Sequence, residues 1–129
     1  MVNESGTCPF CALPPSRIER ASELAIALFD AYPVSEGHAL VIPRRHVKSA
    51  RDLSDAEMLE IWRLLQEMRS LISCSGAPDG FNIGVNDGAA AGQTVRHVHF
   101  HLIPRYAGDV PDPRGGVRWV LPAKARYWD

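Results

Sequence analysis

Three histidines stand at alternate positions, His97, His99 and His101, in the run Arg96-His97-Val98-His99-Phe100-His101-Leu102-Ile103. On a strand, successive side chains point to opposite faces, so the three imidazoles share one face while Val98, Phe100 and Leu102 share the other. Near neutral pH an imidazole serves as base, acid, nucleophile or metal ligand, so three of the chain's five histidines in one register mark a reactive surface. Acting as a nucleophile, His99 would attack phosphorus and form a covalent phosphoramidate, splitting a difficult displacement into two easier steps. Its neighbours lie about 7 Å away, two rises of roughly 3.3 Å, near enough for a phosphate at His99 to touch a second imidazole. His38, at the start of another predicted strand, can join the cluster and order its tautomers by hydrogen bonding. The same trio also permits a second chemistry, an open catalytic metal site with two ligands from the strand and a third from elsewhere.

Cys8-Pro9-Phe10-Cys11 has a spacing suited to metal ligation or redox chemistry. Joined by two ring nitrogens, for which His46 and His97 are candidates, the pair would close a Cys2His2 zinc site, and a closed site is structural. The third cysteine, Cys74, reads as a small packing residue. An odd count fits no closed disulfide framework and suits a reducing compartment. Between the histidine run and the strand before it lies Asn86-Asp87-Gly88-Ala89-Ala90-Ala91-Gly92-Gln93-Thr94, whose small side chains let a ligand approach backbone N–H groups.

The elements that must position these residues can be read from hydrophobic periodicity. Alternation over residues 23–29 and 38–42 predicts two strands joined through the turn residues Asp30, Pro33, Ser35 and Gly37. Residues 81–85 predict a third strand and 95–103, with the histidines, a fourth. Ser54-Asp55-Ala56-Glu57 is a capping box, and Met58, Ile61, Trp62, Leu65, Met68 and Ile72 form one apolar stripe behind it, with a stop near Ser73 before Gly76 and Pro78. The sum is an α+β domain, an antiparallel β-sheet with one principal α-helix. Beyond Pro104 come Pro111, Pro113, Gly115 and Gly116, then Trp119, Tyr127 and Trp128, an aromatic tail too rich in proline for a regular helix that is expected to pack on the domain or on a second subunit.

A length of 129 residues gives one domain, and 46% hydrophobic with 22% charged residues is ordinary for a globular chain. A net charge of -1 leaves no basic footprint for a nucleic-acid partner, although a single phosphorylated small molecule remains suitable. No apolar run is long enough to cross a membrane, and the first twenty residues lack a signal-type apolar core, so the expectation is a cytoplasmic protein with no membrane partner.

The run Gly92-Gln93-Thr94-Val95-Arg96-His97-Val98-His99-Phe100-His101-Leu102-Ile103 resembles the defining signature of the histidine triad family. Gly37-His38-Ala39-Leu40-Val41-Ile42-Pro43 and the paired cysteines match that family in order, and Gly115-Gly116-Val117-Arg118-Trp119 resembles a bacterial-type subgroup. The resemblance spans 8–106 of a single domain over 1–129, with 107–129 as a proline- and glycine-rich tail. It implies a nucleotide hydrolase or transferase acting at the α-phosphate of dinucleoside polyphosphates or nucleoside phosphoramidates. His99 is then the nucleophile, His101 a phosphate contact and His38 a supporting histidine. Asp30 falls where the ribose hydroxyls are held, and Asn86, Gly92, Gln93, Thr94 and Val95 fall on the phosphate side. As in the galactose-phosphate uridylyltransferases, Cys8, Cys11, His46 and His97 would bind structural zinc, so that His97 only buttresses His99 and no catalytic metal is expected. The resemblance further implies a homodimer, in which Trp119 could reach the neighbour's site. The competing reading is a zinc-stabilised nucleotide-binding module that turns nothing over.

Overall fold

A computed structural model describes residues 8–129. Five strands, β1 (Arg20–Ala21), β2 (Ala25–Phe29), β3 (Ala39–Pro43), β4 (Gly80–Val85) and β5 (Phe100–Arg105), form one antiparallel sheet in the order β1-β2-β3-β5-β4. The long helix α1 (Asp55–Gly76) lies between β3 and β4 in the chain, and a single-turn helix α2 (Pro122–Ala125) lies near the C-terminus. This is the α+β architecture that the periodicity predicts. The β2–β3 hairpin is closed by the Asp30 N–H donating to the His38 carbonyl at 2.9 Å, with Phe29 opposite Ala39.

One face of the sheet packs on α1. Ala25, Ala27 and Ala39 are small enough to let the helix approach, and Val41, Val98, Phe100 and Leu102 meet Ile61, Leu64, Leu65, Met68 and Ile72. Each of the larger aliphatic side chains contributes about 1.5–3 kcal/mol by leaving water. On the other face, Ile26, Leu28, Leu40 and Ile42 are covered by Phe10, Leu13 and Ile18 of the N-terminal segment.

The helix starts as its capping box requires: the Glu57 N–H donates to Ser54 Oγ at 3.1 Å, and the Ser54 N–H donates to Glu57 Oε1 at 2.8 Å. It runs past the expected stop near Ser73 to Gly76, because Ser73, Cys74 and Ser75 can all remain helical. Pro78 disfavours a helical residue before it, and Ala77 turns to a left-handed φ of 49°. Met58 and Trp62, expected in the core stripe, are instead 39% and 52% exposed, because the buried face is centred on Ile61, Leu64, Leu65 and Met68. Both border a shallow apolar hollow with Ile83, Val85 and Phe100, beside the open edge strand β4. Cys74 is likewise exposed rather than packed.

The histidine strand begins later than the expected residue 95. His97 and His99 precede β5, and only His101 lies within it. The alternation nonetheless survives, since Val98 is held by its N–H donating to the Val47 carbonyl at 2.7 Å and still points into the helix-side core. At the far end, β3 pairs with β5 only as far as Leu102, so Pro104 breaks no ladder hydrogen bond on that flank, and its carbonyl accepts from Ser35 Oγ. The tail folds back on the domain, as expected, through a 3-10 turn at Gly116–Val120 that contacts β4.

Glu57 joins this scaffold to the residues around His46. Two hydrogen bonds from Arg45, at 2.8 and 3.1 Å, together with the Ser54 N–H, hold its carboxyl at a pKa of about 2. Its folded pKa lies below the ordinary carboxylate value, so this stabilisation is complete above pH 4.5 and lost as the pH falls towards 2. Glu57→Ala is expected to cost about 1–2 kcal/mol in urea unfolding at pH 7, the usual price of a lost cap, and much less near pH 2.

Candidate functional site

The four-histidine centre lies on the helix-free face, at the seam between the N-terminal segment and the C-terminal tail. Backbone groups decide its protonation pattern. The Val34 N–H donates to His38 Nδ1 at 3.1 Å, so neutral His38 carries its proton on Nε2. Burial, partly opposed by the Asp30 carboxylate, lowers the His38 pKa and favours that neutral form. His38 Nε2–H then faces His101 Nδ1 at 2.9 Å, which leaves the His101 proton on Nε2. His101 is pushed down to a pKa of about 4, first by burial and then by repulsion from His99 and His38.

His99 has the opposite tautomer. Its Nδ1 lies 2.9 Å from the carbonyl of His97, an acceptor only, so Nδ1 carries the hydrogen and Nε2 keeps a bare lone pair. Phe10 packs edge-on against the ring with centroids 5.2 Å apart, and His101 flanks it at 5.2 Å. The arrangement therefore pairs an unprotonated nitrogen on His99 with an N–H on the neighbouring His101 ring, a nucleophile and a hydrogen-bond donor suited to displacement at phosphorus.

Gly37 explains how His38 reaches its place. It adopts a φ of +91°, and a Cβ there would lie 3.0 Å from Ile72 Cγ2 and 3.3 Å from Pro104 Cγ, so only glycine fits the turn that delivers His38 to β3.

The metal candidates converge as well. His97 Nε2–H donates to the Pro43 carbonyl at 2.8 Å, freeing Nδ1, which lies 3.5 Å from Cys8 Sγ, 3.6 Å from Cys11 Sγ and 3.2 Å from His46 Nδ1. Cys11 Sγ is 3.2 Å from His46 Nδ1, and all four donor atoms lie within 4.8 Å of one another. A tetrahedral ion with zinc-like bond lengths needs edges of about 3.3 Å between nitrogens and about 3.6 Å from nitrogen to sulfur, so the donor set fits. Burial, then the hydrogen bond and charge of Cys8, push the Cys11 thiol pKa up, a repulsion that a cation would reverse. Asp30, His38 and His101 form a second cluster of ligand types. A metal on His38 Nε2 would, however, need the hydrogen moved to Nδ1, against the Val34 N–H.

Asp30 Oδ2 sits 3.4 Å from His38 Nε2, and its Oδ1 accepts the Tyr32 N–H. Asn86 lines the same open groove as His38 and His101. Gln93 has a different setting: its Oε1 accepts the Gly88 N–H, and its Nε2 donates to the carbonyls of Lys48 and Val95, so the side chain fastens the loop. Gly92 and Thr94 are exposed on that loop, and Val95 is half-buried. Sequence reasoning missed Phe10, the Pro43 carbonyl and the Val34 N–H. Phe10 could have been suspected from its place inside the cysteine knuckle, whereas backbone partners leave no mark in residue types.

A model of the HIT domain matches residues 15–108. The chain belongs to the HIT-domain family. An uncharacterized HIT-like protein of Methanocaldococcus jannaschii is 36% identical over 106 residues, covering 79% of this chain and 81% of that protein. The bis(5'-adenosyl)-triphosphatase of Dictyostelium discoideum is 41% identical over 90 residues, covering 70% of this chain and 60% of the enzyme. Against a Zn-bound histidine triad family protein from Mycobacterium smegmatis the TM-score is 0.72 at 33% identity, over 91% of this chain and 92% of that one. Membership supports nucleotide hydrolase activity at the level of the family, and its fold is the one described above. Among the described residues no helix is long and apolar enough to cross a membrane.

The low His101 pKa has a thermodynamic consequence. The folded state resists a proton that the unfolded chain accepts near pH 6.5, so this contribution to stability is complete above 6.5 and declines as the pH falls towards 4. Between pH 6.5 and 5, above the range where Glu57 titrates, thermal melts of His101→Asn are expected to depend less steeply on pH than those of the unaltered protein. Equal slopes would contradict the assignment.

Proposed function

We propose that this HIT protein cleaves nucleotide conjugates at the α-phosphate through a nucleotidyl-histidine. The lone pair of His99 Nε2 attacks phosphorus and a P–N bond forms, while the bond from phosphorus to the leaving group breaks; His101 Nε2–H donates a hydrogen bond to the phosphoryl oxygen, and the departing group keeps the electron pair and takes any proton it needs from water. Water or another acceptor then attacks the phosphorus, the P–N bond breaks with its electron pair returning to His99 Nε2, and the acceptor's proton passes to solvent. The observation that carries this reading is the opposed tautomers of His99 and His101, each set by a hydrogen bond to the far side of its ring. His38 acts as a positioning residue through His101 Nδ1.

Asp30 is suited to accept hydrogen bonds from ribose hydroxyls. Asn86, with the backbone of Gly92, Thr94 and Val95, is suited to the phosphate, while Gln93 holds the loop in shape. Cys8, Cys11, His46 and His97 would hold zinc, whose part is structural: it would fix the knuckle and the backbone of His97. Thiolate ligands suit a reducing, cytoplasmic setting. A homodimer would pair the open edge of β4 with that of a second copy and cover Met58 and Trp62.

His99→Asn is expected to lower turnover of an adenosine conjugate by about 10³-fold or more while changing nucleotide affinity little. Intact mass after a rapid quench should show a nucleotide adduct on His99 in the unaltered protein and none in the variant. Tight nucleotide binding with no turnover and no adduct would make the protein a binding module instead.

Metal analysis of protein purified without chelator is expected to find one zinc per chain. Cys11→Ser should lose it and lower the melting temperature by several degrees. Zinc retained in that variant would rule out this ligand set.

A further inference from the structure

The paired cysteines carry a chemistry that the proposed catalysis leaves unused. Cys8 and Cys11 stand on one tight turn, in which the Ala12 N–H donates to the Cys8 carbonyl at 3.1 Å and the Cys11 N–H donates to Cys8 Sγ at 3.4 Å. Both sulfurs crowd a single nitrogen, His97 Nδ1, at 3.5 and 3.6 Å. The two differ in access, for Cys8 is fully buried whereas Cys11 is exposed. An exposed thiol with a buried second thiol within 4.8 Å lets one sulfur meet an oxidant and the other resolve the product.

The same turn reaches the histidines. Phe10 lies between the two cysteines in sequence, and its ring packs edge-on against both His97 and His99, with centroids 5.7 and 5.2 Å apart. Residues three apart on a helical turn have Cβ atoms about 5–6 Å apart, and a disulfide draws such a pair in to about 4 Å. Closing one here would tighten the turn and carry Phe10 with it. His97 Nδ1 would at the same time lose both sulfurs as thiol partners or fellow ligands, leaving the ring to the Pro43 carbonyl and His46.

We propose that Cys8 and Cys11 are a hydroperoxide-sensitive pair whose oxidation to a disulfide dismantles the metal-ligand set and loosens His99. The Cys11 sulfur attacks one peroxide oxygen, the O–O bond breaks, and the departing hydroxide leaves as water with a proton from the thiol or, in the metal-loaded protein, from solvent. The Cys8 sulfur then attacks the sulfenic sulfur, the S–S bond forms, and the hydroxyl leaves as a second water with a proton from the same sources. Two thiols and one peroxide thus give one disulfide and two waters, and a thiol reductant reverses the change by exchange. His46 and His97 alone are too few donors for a tetrahedral site. The slowing of His99 rests on the α-phosphate chemistry proposed above, whereas the oxidation of the thiols does not.

The test treats protein reconstituted with zinc, in a Cys74→Ser background that removes the other exposed thiol, with a small molar excess of hydrogen peroxide. Released zinc is read with a chromogenic chelator, and the Cys8–Cys11 cross-link by peptide mass spectrometry. One zinc should leave per disulfide formed, and dithiothreitol with added zinc should restore the starting state. Turnover of an adenosine conjugate should fall about tenfold or more in step with the release. Thiols that stay reduced, zinc retained beside the disulfide, zinc lost with sulfinic acid in place of the disulfide, or turnover unchanged by the cross-link would each overturn the inference and leave the histidine chemistry standing. Absence of turnover before any oxidation would overturn that chemistry and its control together, with the thiol oxidation still decided by the zinc and the cross-link.

Discussion

The site depends on one short hydrogen bond, from His99 Nδ1–H to the carbonyl of His97. That contact keeps the proton on Nδ1, the far side of the ring, and leaves the lone pair on Nε2. The carbonyl is held in turn because the His97 side chain is pinned at both nitrogens: Nε2–H by the Pro43 carbonyl and Nδ1 by the cluster with Cys8, Cys11 and His46. A single residue thus joins the metal candidate to the nucleophile through its own backbone. A metal there would stabilise the orientation of His99 without touching the reacting atoms.

The remaining architecture serves the same geometry. One helix covers one face of the sheet and supplies most of the apolar core. The opposite face is shared between two segments with little regular structure, the knuckle that packs Phe10 on His99 and the tail that roofs the groove beyond His101. The histidines lie where these covers meet, which keeps them mostly dry while His38 and His101 line the groove. Dryness matters because it holds His38 and His101 neutral, and a neutral His101 can both accept from His38 and donate onward.

Much of this was legible in residue order. The reciprocal bonds of Ser54 and Glu57, the alternation of Val98, Phe100 and Leu102, and the convergence of two cysteines with two histidines all follow from local rules or from the resemblance. What escaped is tertiary. Met58 and Trp62 fit the helical period but sit beside an open strand edge, a fact about topology rather than spacing. The strand starts at Phe100 because His97 is drawn off to Pro43 and the knuckle, and a period-two pattern cannot register that diversion. Gln93 is occupied by Gly88, Lys48 and Val95, partners that carry no signature. The tail showed its aromatics but not the surface they would roof.

The most direct measurement of the central claim is the tautomer of His99, read from long-range ¹H–¹⁵N correlations of the ring in the metal-loaded protein near neutral pH. The account predicts a protonated Nδ1 and a bare Nε2 on His99, with the reverse on His101. A proton on Nε2 of His99 would contradict it, since that ring could not attack phosphorus from the nitrogen that faces the ligand.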